Sequence, residues 1–144
     1  MAINYFTENV QLPKKFKKRR TSQWIKHVIQ REEKCIGNIV YIFCNDDHII
    51  EINRQYLQHD FYTDIITFDY TIGDKLSGEI YISLETVKTN AEKFHTEYEE
   101  ELRRVLIHGI LHLCGYNDKT KAEQKIMRHK EDLSLDLYKS ITPQ

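Results

Sequence analysis

The sequence has no stretch of about 18 apolar residues, the length that a membrane-spanning helix requires. Its N-terminus lacks the successive charged, apolar and small-residue segments of a secretory signal. Cysteine is scarce, and Cys35, Cys44 and Cys114 are odd in number and irregularly spaced, which argues against a disulfide framework. We therefore expect a soluble cytoplasmic protein with no membrane partner.

The chain also lacks a strong net charge, but its charges are concentrated locally. It has 21 lysines and arginines against 22 aspartates and glutamates. One dense cluster, called the basic segment below, consists of Lys14, Lys15, Lys17, Lys18, Arg19 and Arg20. Because closely spaced like charges repel one another, the basic segment favours a polyanionic partner such as RNA. The alternative is a solvated surface that only aids solubility.

The most informative stretch runs from His108 to Asp118. Apolar residues between positions 102 and 113 recur at helical intervals, which predicts a buried helix. His108 and His112 would lie on one face of it with Cβ atoms about 5–6 Å apart, close enough to share a metal ion. Gly115 can end the helix in a left-handed conformation, so that Asp118 returns as a third ligand.

This ligand set has alternatives. Two histidines four residues apart are a weak signal by themselves, although buried imidazoles cost free energy unless something satisfies them, and a metal would do so. His129 on the last predicted helix could replace Asp118 as the third ligand. Cys114 would point about 200° away from His112 around the helix, which is more typical of a small core residue than of a ligand.

The stretch from His108 to Asp118 resembles the signature His-Gly-x-Leu-His-Leu-x-Gly-Tyr-Asp-His of the YbeY family of bacterial metal-dependent endoribonucleases. The resemblance implies a metal, usually zinc, held at three positions. It also implies single-stranded RNA as substrate, with rRNA, the ribosome or ribosomal proteins as partners in rRNA maturation and ribosome quality control. Two positions depart from the signature, because Asn117 replaces its aspartate and Asp118 its third histidine.

A second family block, Asn-x-x-Tyr-Arg-x-x-Asp-x-x-Thr-Asp-Val-Leu-Ser-Phe, is similar to the stretch 53–68. The matching residues are Asn53, Tyr56, Asp60, Thr63, Asp64, Ile65, Ile66, Thr67 and Phe68. The arginine of this block, which would be expected to hold the scissile phosphate, is replaced by Leu57. A further family strand is matched by residues 78–80.

Two residues are candidates to replace that arginine in catalysis. Arg104 lies one turn before His108 on the same helix face, although it could instead form a surface ion pair with Glu100. His59 could contact phosphate or donate a proton, although a loop histidine often simply faces solvent. Asp64 and Asn117 are candidates to orient the metal-binding side chains by hydrogen bonds.

Three protein ligands leave one coordination position open, and zinc bound in this way lowers the pKa of its water to about 7. This water would be the nucleophile of a hydrolase. Gly109 stands where a His-Glu-x-x-His peptidase has its general base, so a metallopeptidase is a distant candidate. We predict a metal-dependent endoribonuclease, and the alternative is a non-catalytic RNA-binding assembly factor with a structural metal.

The chain of 144 residues fits a single domain, 1–144. We predict an α+β fold with about four strands, about five helices and the metal site at the end of a central helix. The predicted strands are Ile3–Phe6, Gly37–Asn45, Ile65–Tyr70 and Glu79–Ser83. The predicted helices begin at Pro13, at His48, at Ser83 or Thr86, near Leu102 and at Lys121.

Overall fold

The computed structural model describes residues 2–58 and 63–141. In chain order its elements are β1 (Ala2–Thr7), α1 (Lys18–Arg31), β2 (Cys35–Cys44), α2 (Asp46–Leu57), β3 (Ile65–Asp69), β4 (Lys75–Ser83), α3 (Leu84–Lys93), α4 (Tyr98–Leu113) and α5 (Lys121–Ser140). Within these residues the predicted α+β class, with four strands and five helices, is confirmed. None of the helices in the described ranges is long and apolar enough to cross a bilayer.

The four strands form one mixed sheet in the order β1-β2-β4-β3. β1 and β4 pair with β2 in parallel, and β3 pairs with β4 in the antiparallel direction, from Ile65 opposite Ile82 to Asp69 opposite Gly78. The continuous apolar run of β2 is typical of an interior strand, and β2 does lie inside the sheet. β3 is an edge strand, and its free edge lines the cleft described below.

The main core lies between one face of the sheet and the helices α1, α4 and α5. Trp24 of α1 is fully buried there, and its Nε1 donates a hydrogen bond to the carbonyl oxygen of Ser134 at 2.7 Å. α4 is the central helix, in contact with α3, α5, β3 and β4. It approaches the sheet at Gly109, where a Cβ atom would lie only 3.0 Å from Ile80 Cδ1. This close approach brings the C-terminal half of α4 over the edge of the sheet.

A smaller cluster covers part of the other sheet face. Cys44, Ile49, Ile52 and Ile66 are buried in it between α2 and the sheet. α2 begins directly after Asn45, whose side chain accepts a hydrogen bond from the backbone N–H of His48 at 2.9 Å. α2 therefore forms a wall beside the edge strand β3.

Several predicted boundaries were wrong. α1 begins at Lys18 rather than Pro13, because Lys17 has an extended backbone (φ −110°, ψ 101°) and Pro13 opens only a turn. Phe16 in this turn packs edge-on against Tyr5 and Phe43, a tertiary contact that the sequence pattern does not reveal. Five elements begin earlier than predicted: β1 at Ala2, β2 at Cys35, α2 at Asp46, β4 at Lys75 and α4 at Tyr98.

Candidate metal centre

Helix α4 and the loop after it bring together three side chains that could bind a metal ion, called the donor cluster below. The rings of His108 and His112 have centroids 4.5 Å apart. Asp118 Oδ2 lies 3.2 Å from His108 Nε2 and 3.4 Å from His112 Nε2. One donor atom from each of the three residues lies within 4.8 Å of the others. Two nitrogens and one carboxylate oxygen form a donor set that suits a divalent ion such as zinc.

The loop returns to the histidines because of how α4 ends. Gly115 has a φ of 105°, a conformation that favours glycine. The N–H groups of Gly115 and Tyr116 donate to the carbonyls of His112 and Leu111, each at 3.0 Å, which satisfies the end of the helix. Gln124 Nε2 then donates to the carbonyl oxygen of Asp118 at 3.1 Å. The loop is thus fixed from both sides, as the glycine position predicts.

A buried carboxylate stands behind the first histidine. Glu131 of α5 is only 6% exposed, and its Oε2 lies 2.7 Å from His108 Nδ1. If Nδ1 carries the proton and donates it to Glu131, Nε2 is left as the lone-pair donor toward Asp118 and the metal position. Glu131 in turn accepts a hydrogen bond at 2.9 Å from Nη1 of Arg104, whose Nη2 donates to Asp132, also at 2.9 Å.

Arg104 lies on the metal side of α4, as one of the two expectations has it, and does not form the expected ion pair with Glu100. It lines the cleft beside His108, but both of its terminal nitrogens are engaged by acids on α5, and its partner is not Glu100. A guanidinium held in this way orients Glu131 and, through it, His108.

The two histidines differ in their electrostatic surroundings. Burial opposes protonation of His108, but the hydrogen bond and charge of Glu131 outweigh it, so the pKa of His108 is raised above its ordinary value. Burial and the neighbouring charge of His108 lower the pKa of His112. In the metal-free protein, His108 is therefore protonated before His112 as the pH falls.

The donor cluster opens into a cleft of about 840 Å³ between α2, β3, α4 and α5. Leu57 lines the α2 side, so the position of the family's arginine carries an alkyl group here. Asp64 lines the cleft too; burial raises the pKa of its carboxyl group, and its backbone carbonyl accepts a hydrogen bond from Ser83 at 3.0 Å. His59 and Asp60 lie outside the described residues.

The sequence also offered Asn117 as a residue that orients the ligands and His129 as an alternative third ligand. Asn117 is exposed and hydrogen-bonds the side chain of Glu123 in the first turn of α5. His129 is exposed on α5 and is not part of the donor cluster. Of the two candidates for a third ligand, Asp118 and not His129 lies beside His108 and His112 in the described residues.

The basic segment lies away from the cleft. None of its six cations lines the cleft; Lys15 and Lys17 instead neighbour Glu99 and Arg103 at the opposite end of α4. Lys14, Lys15, Lys17, Lys18 and Arg19 are exposed. Arg20 is half-buried, with its guanidinium carbon 4.3 Å from the ring centre of Tyr138 and its Nη2 donating to the carbonyl oxygens of Tyr138 and Ile141.

Sequence reasoning missed Glu131. Its one signal is periodicity, because Met127, Ser134 and Leu135 are the other buried residues of α5 and Glu131 falls on the same stripe. A lone acid on an otherwise buried helix face indicates a partner that carries a proton or a positive charge.

Comparisons with known proteins find similar sequences and a similar structure. The model of the family described as Endoribonuclease YbeY matches residues 5–139. A curated Endoribonuclease YbeY from Bacteroides fragilis is 60% identical over 139 residues, covering 96% of this chain and 99% of that protein. One from Parabacteroides distasonis is 60% identical over 135 residues, covering 94% of each. The solution structure of TM1509 from Thermotoga maritima is 28% identical, with a TM-score of 0.68, and covers 95% of this chain and 89% of that one.

Proposed function

Since this chain belongs to the endoribonuclease YbeY family, we propose that it is a metal-dependent endoribonuclease that cleaves single-stranded RNA in the cleft beside α4. The whole chain, 1–144, would act as one metallohydrolase domain. The observation that carries the proposal is the convergence of His108, His112 and Asp118 on one point inside an open cleft.

Zinc is the ion that we propose for this site. It suits two imidazole nitrogens and a carboxylate oxygen, and three protein donors leave it a position for solvent or substrate. When bound, a divalent ion would polarise a phosphoryl oxygen and activate water for attack on the phosphodiester.

The residues of the chain supply positioning and charge. Glu131 holds the ring of His108 so that Nε2 faces the metal position, and Arg104 holds Glu131. Asp118 brings a negative charge to the position where the family signature has an imidazole. Arg104 thus becomes a positioning residue rather than a group that contacts the scissile phosphate.

RNA is a better substrate than peptide for this cleft. Gly109 follows His108 at the position where a His-Glu-x-x-His peptidase carries its general base, and the close packing against Ile80 leaves little room for a longer side chain there. We further propose that the RNA is rRNA, that the partner is the ribosome, and that the protein works in the cytoplasm, where its three free cysteines would stay reduced.

The test is cleavage of labelled RNA by zinc-loaded protein. We expect the wild type to cut a single-stranded oligoribonucleotide and to leave the matching duplex intact. His108→Ala and His112→Ala, purified in the same way, should be inactive and should bind less zinc by elemental analysis. Equal cleavage by wild type and both variants would reveal a contaminating nuclease and remove the support for the proposal.

A second candidate is favoured by Leu57. Without an arginine at this position the chain could be an RNA-binding assembly factor in which the metal only holds the α4–α5 loop in place. A structural zinc normally has four protein ligands, whereas the cluster in the described residues offers three. Tight RNA binding by zinc-loaded protein with no cleavage of any RNA would favour this candidate.

A further inference from the structure

The cleft that holds the donor cluster is poor in available positive charge. Five carboxylates line it: Asp64, Asp69, Glu101, Asp118 and Glu131. Burial raises the pKa of Asp64 and Glu101, which reduces but does not remove their repulsion of a phosphate. Arg104 is already engaged by Glu131 and Asp132. Besides the metal ion that we propose for the cleft, an RNA strand therefore needs other cations to reach this site.

Two cations at the rim of the cleft remain available. Lys119 follows Asp118 directly, and Arg128 lies one turn before Glu131 on α5; both line the cleft and both are exposed. Neither forms an ion pair within 4.0 Å with any of the described residues. On the opposite wall, Leu57 offers only an apolar side chain.

The positive charge continues along α5. Lys121, Lys125 and Arg128 are separated by four and three residues, so they project from one face of the helix. All three are exposed and lack a described acidic partner. At 1.5 Å per residue they span about 11 Å of helix, and a stacked strand with one phosphate per about 3.4 Å places roughly three phosphates over that length.

We propose that Lys119, Lys121, Lys125 and Arg128 form a track that binds the backbone of single-stranded RNA and leads it to the cleft. Arg128 is the member of the track on α5 that lines the cleft, and it contacts a phosphate close to the donor cluster. This inference rests on the proposed endoribonuclease function, because it names the surface that presents the substrate to that site. It also assigns RNA entry to α5 instead of the basic segment.

The experiment compares two triple variants of the full chain that lose equal charge. One is Lys121→Gln/Lys125→Gln/Arg128→Gln, and the matched control is Lys14→Gln/Lys15→Gln/Lys17→Gln. The dissociation constant for a single-stranded oligoribonucleotide is measured against salt concentration with chelator-treated protein, so that hydrolysis does not interfere. Circular dichroism confirms folding, and the corresponding single variants replace any triple variant that fails to fold.

We expect the α5 variant to bind roughly tenfold more weakly, with a salt slope smaller by about 2, because three phosphate contacts at about 0.7 each are lost. The control variant should change the dissociation constant less than about threefold and leave the slope close to that of the wild type. Equal weakening in both variants would show a general effect of net charge and would overturn the track. So would weakening confined to the control, or wild-type binding without salt dependence.

A kinetic measurement sharpens the role of Arg128. With zinc-loaded protein, Arg128→Gln should raise KM several-fold with kcat nearly unchanged, because the contact is made equally in the ground state and transition state. Arg128→Lys should restore most of the loss, and an unchanged KM in Arg128→Gln would remove Arg128 from the track. If the wild type cleaves no RNA at all, the proposed function fails, while the binding comparison still decides whether the track exists.

Discussion

The charged groups around the C-terminal end of α4 and those of the basic segment are held in opposite ways. At the C-terminal end, His108, Asp118, Glu131 and Arg104 form a continuous set of contacts, none longer than 3.2 Å. Five of the six cations of the basic segment are exposed, and none of these five forms an ion pair with a described residue.

The comparison shows that a high local density of charge does not by itself make a preorganised site. A cluster of cations in the sequence indicates an exposed surface that attracts polyanions. A site for chemistry needs groups that are fixed before the substrate arrives, which costs nothing further at the moment of reaction. Only the C-terminal end of α4 meets this requirement, so changes there should have larger functional effects than changes in the basic segment.

The strongest test of this difference removes a metal donor. We expect His112→Ala to weaken zinc binding more than about 100-fold, since losing a ligand should exceed the 10- to 100-fold typical of losing an outer partner. Calorimetric titration with zinc measures the change. His129→Ala, on the exposed side of α5, is the control and should bind zinc like the wild type; equal losses in both would contradict the assigned donor set.

Removing the charge of Glu131 should have a smaller effect. Glu131→Gln keeps the size of the side chain but weakens its hold on His108 Nδ1, so zinc affinity should fall by about 10- to 100-fold. Asp132→Asn touches the same network only through Arg104 and should cost much less. If the two variants weaken zinc binding equally, Glu131 has no special role in orienting the histidine.

The contact between Glu32 and the loop that carries Asp118 gives a prediction that depends on pH. Glu32, directly after the end of α1, accepts hydrogen bonds from Tyr116 in this loop and from Lys130. Burial alone would raise the pKa of Glu32, but the hydrogen bonds from Tyr116, Lys130 and Arg31 lower it below its ordinary value of 4.5. Because the pKa is lower in the folded state, ionised Glu32 stabilises the fold at pH values above the ordinary pKa of 4.5. This stabilisation is lost as the pH falls through the pKa of the folded state.

Glu32→Gln should therefore lower the free energy of unfolding by about 1–3 kcal/mol at pH 7. The difference between wild type and variant should shrink as the pH falls below 4.5. Urea unfolding of metal-free protein at pH 7 and at pH 3.5 measures both values. A difference that stays constant across this range would mean that the charge of Glu32 contributes nothing to stability.

We expect the smallest effects for substitutions in the basic segment, and we expect Arg20 to contribute more to stability than its exposed neighbours. Arg20→Gln should destabilise the protein by about 1–2 kcal/mol, because the guanidinium donates to two carbonyl oxygens near the end of α5. Arg19→Gln is the neighbouring control and should stay within about 0.5 kcal/mol of the wild type. Thermal unfolding measures both, and equal stabilities would mean that the contacts of Arg20 have no net value.

Much of the site followed from local sequence. The pairing of His108 with His112 depends only on helical periodicity, and the return of the chain at Gly115 depends on one glycine conformation. Asp118 follows Gly115 by only three residues, so these two features restrict its position relative to the histidines. Such inferences succeed because their causes act within a few residues.

Other parts of the site required contacts between distant residues. The sequence pattern offered Glu100 as the partner of Arg104, because it lies four residues earlier on the same helix, but the actual partners are Glu131 and Asp132. The helix start predicted at Pro13 was wrong for the same reason, since Phe16 is held by aromatic rings from two strands.

The sequence by itself determined the family, the α+β composition and the three donors that we propose for the metal. Their causes are local, because a helix repeats every 3.6 residues and a glycine adopts a conformation that other residues avoid. The packing of α5 on α4 decided what stands behind His108 and which cations border the cleft. The spacing of residues along the chain does not identify those contacts, because they form only when α4 and α5 bury their apolar faces together.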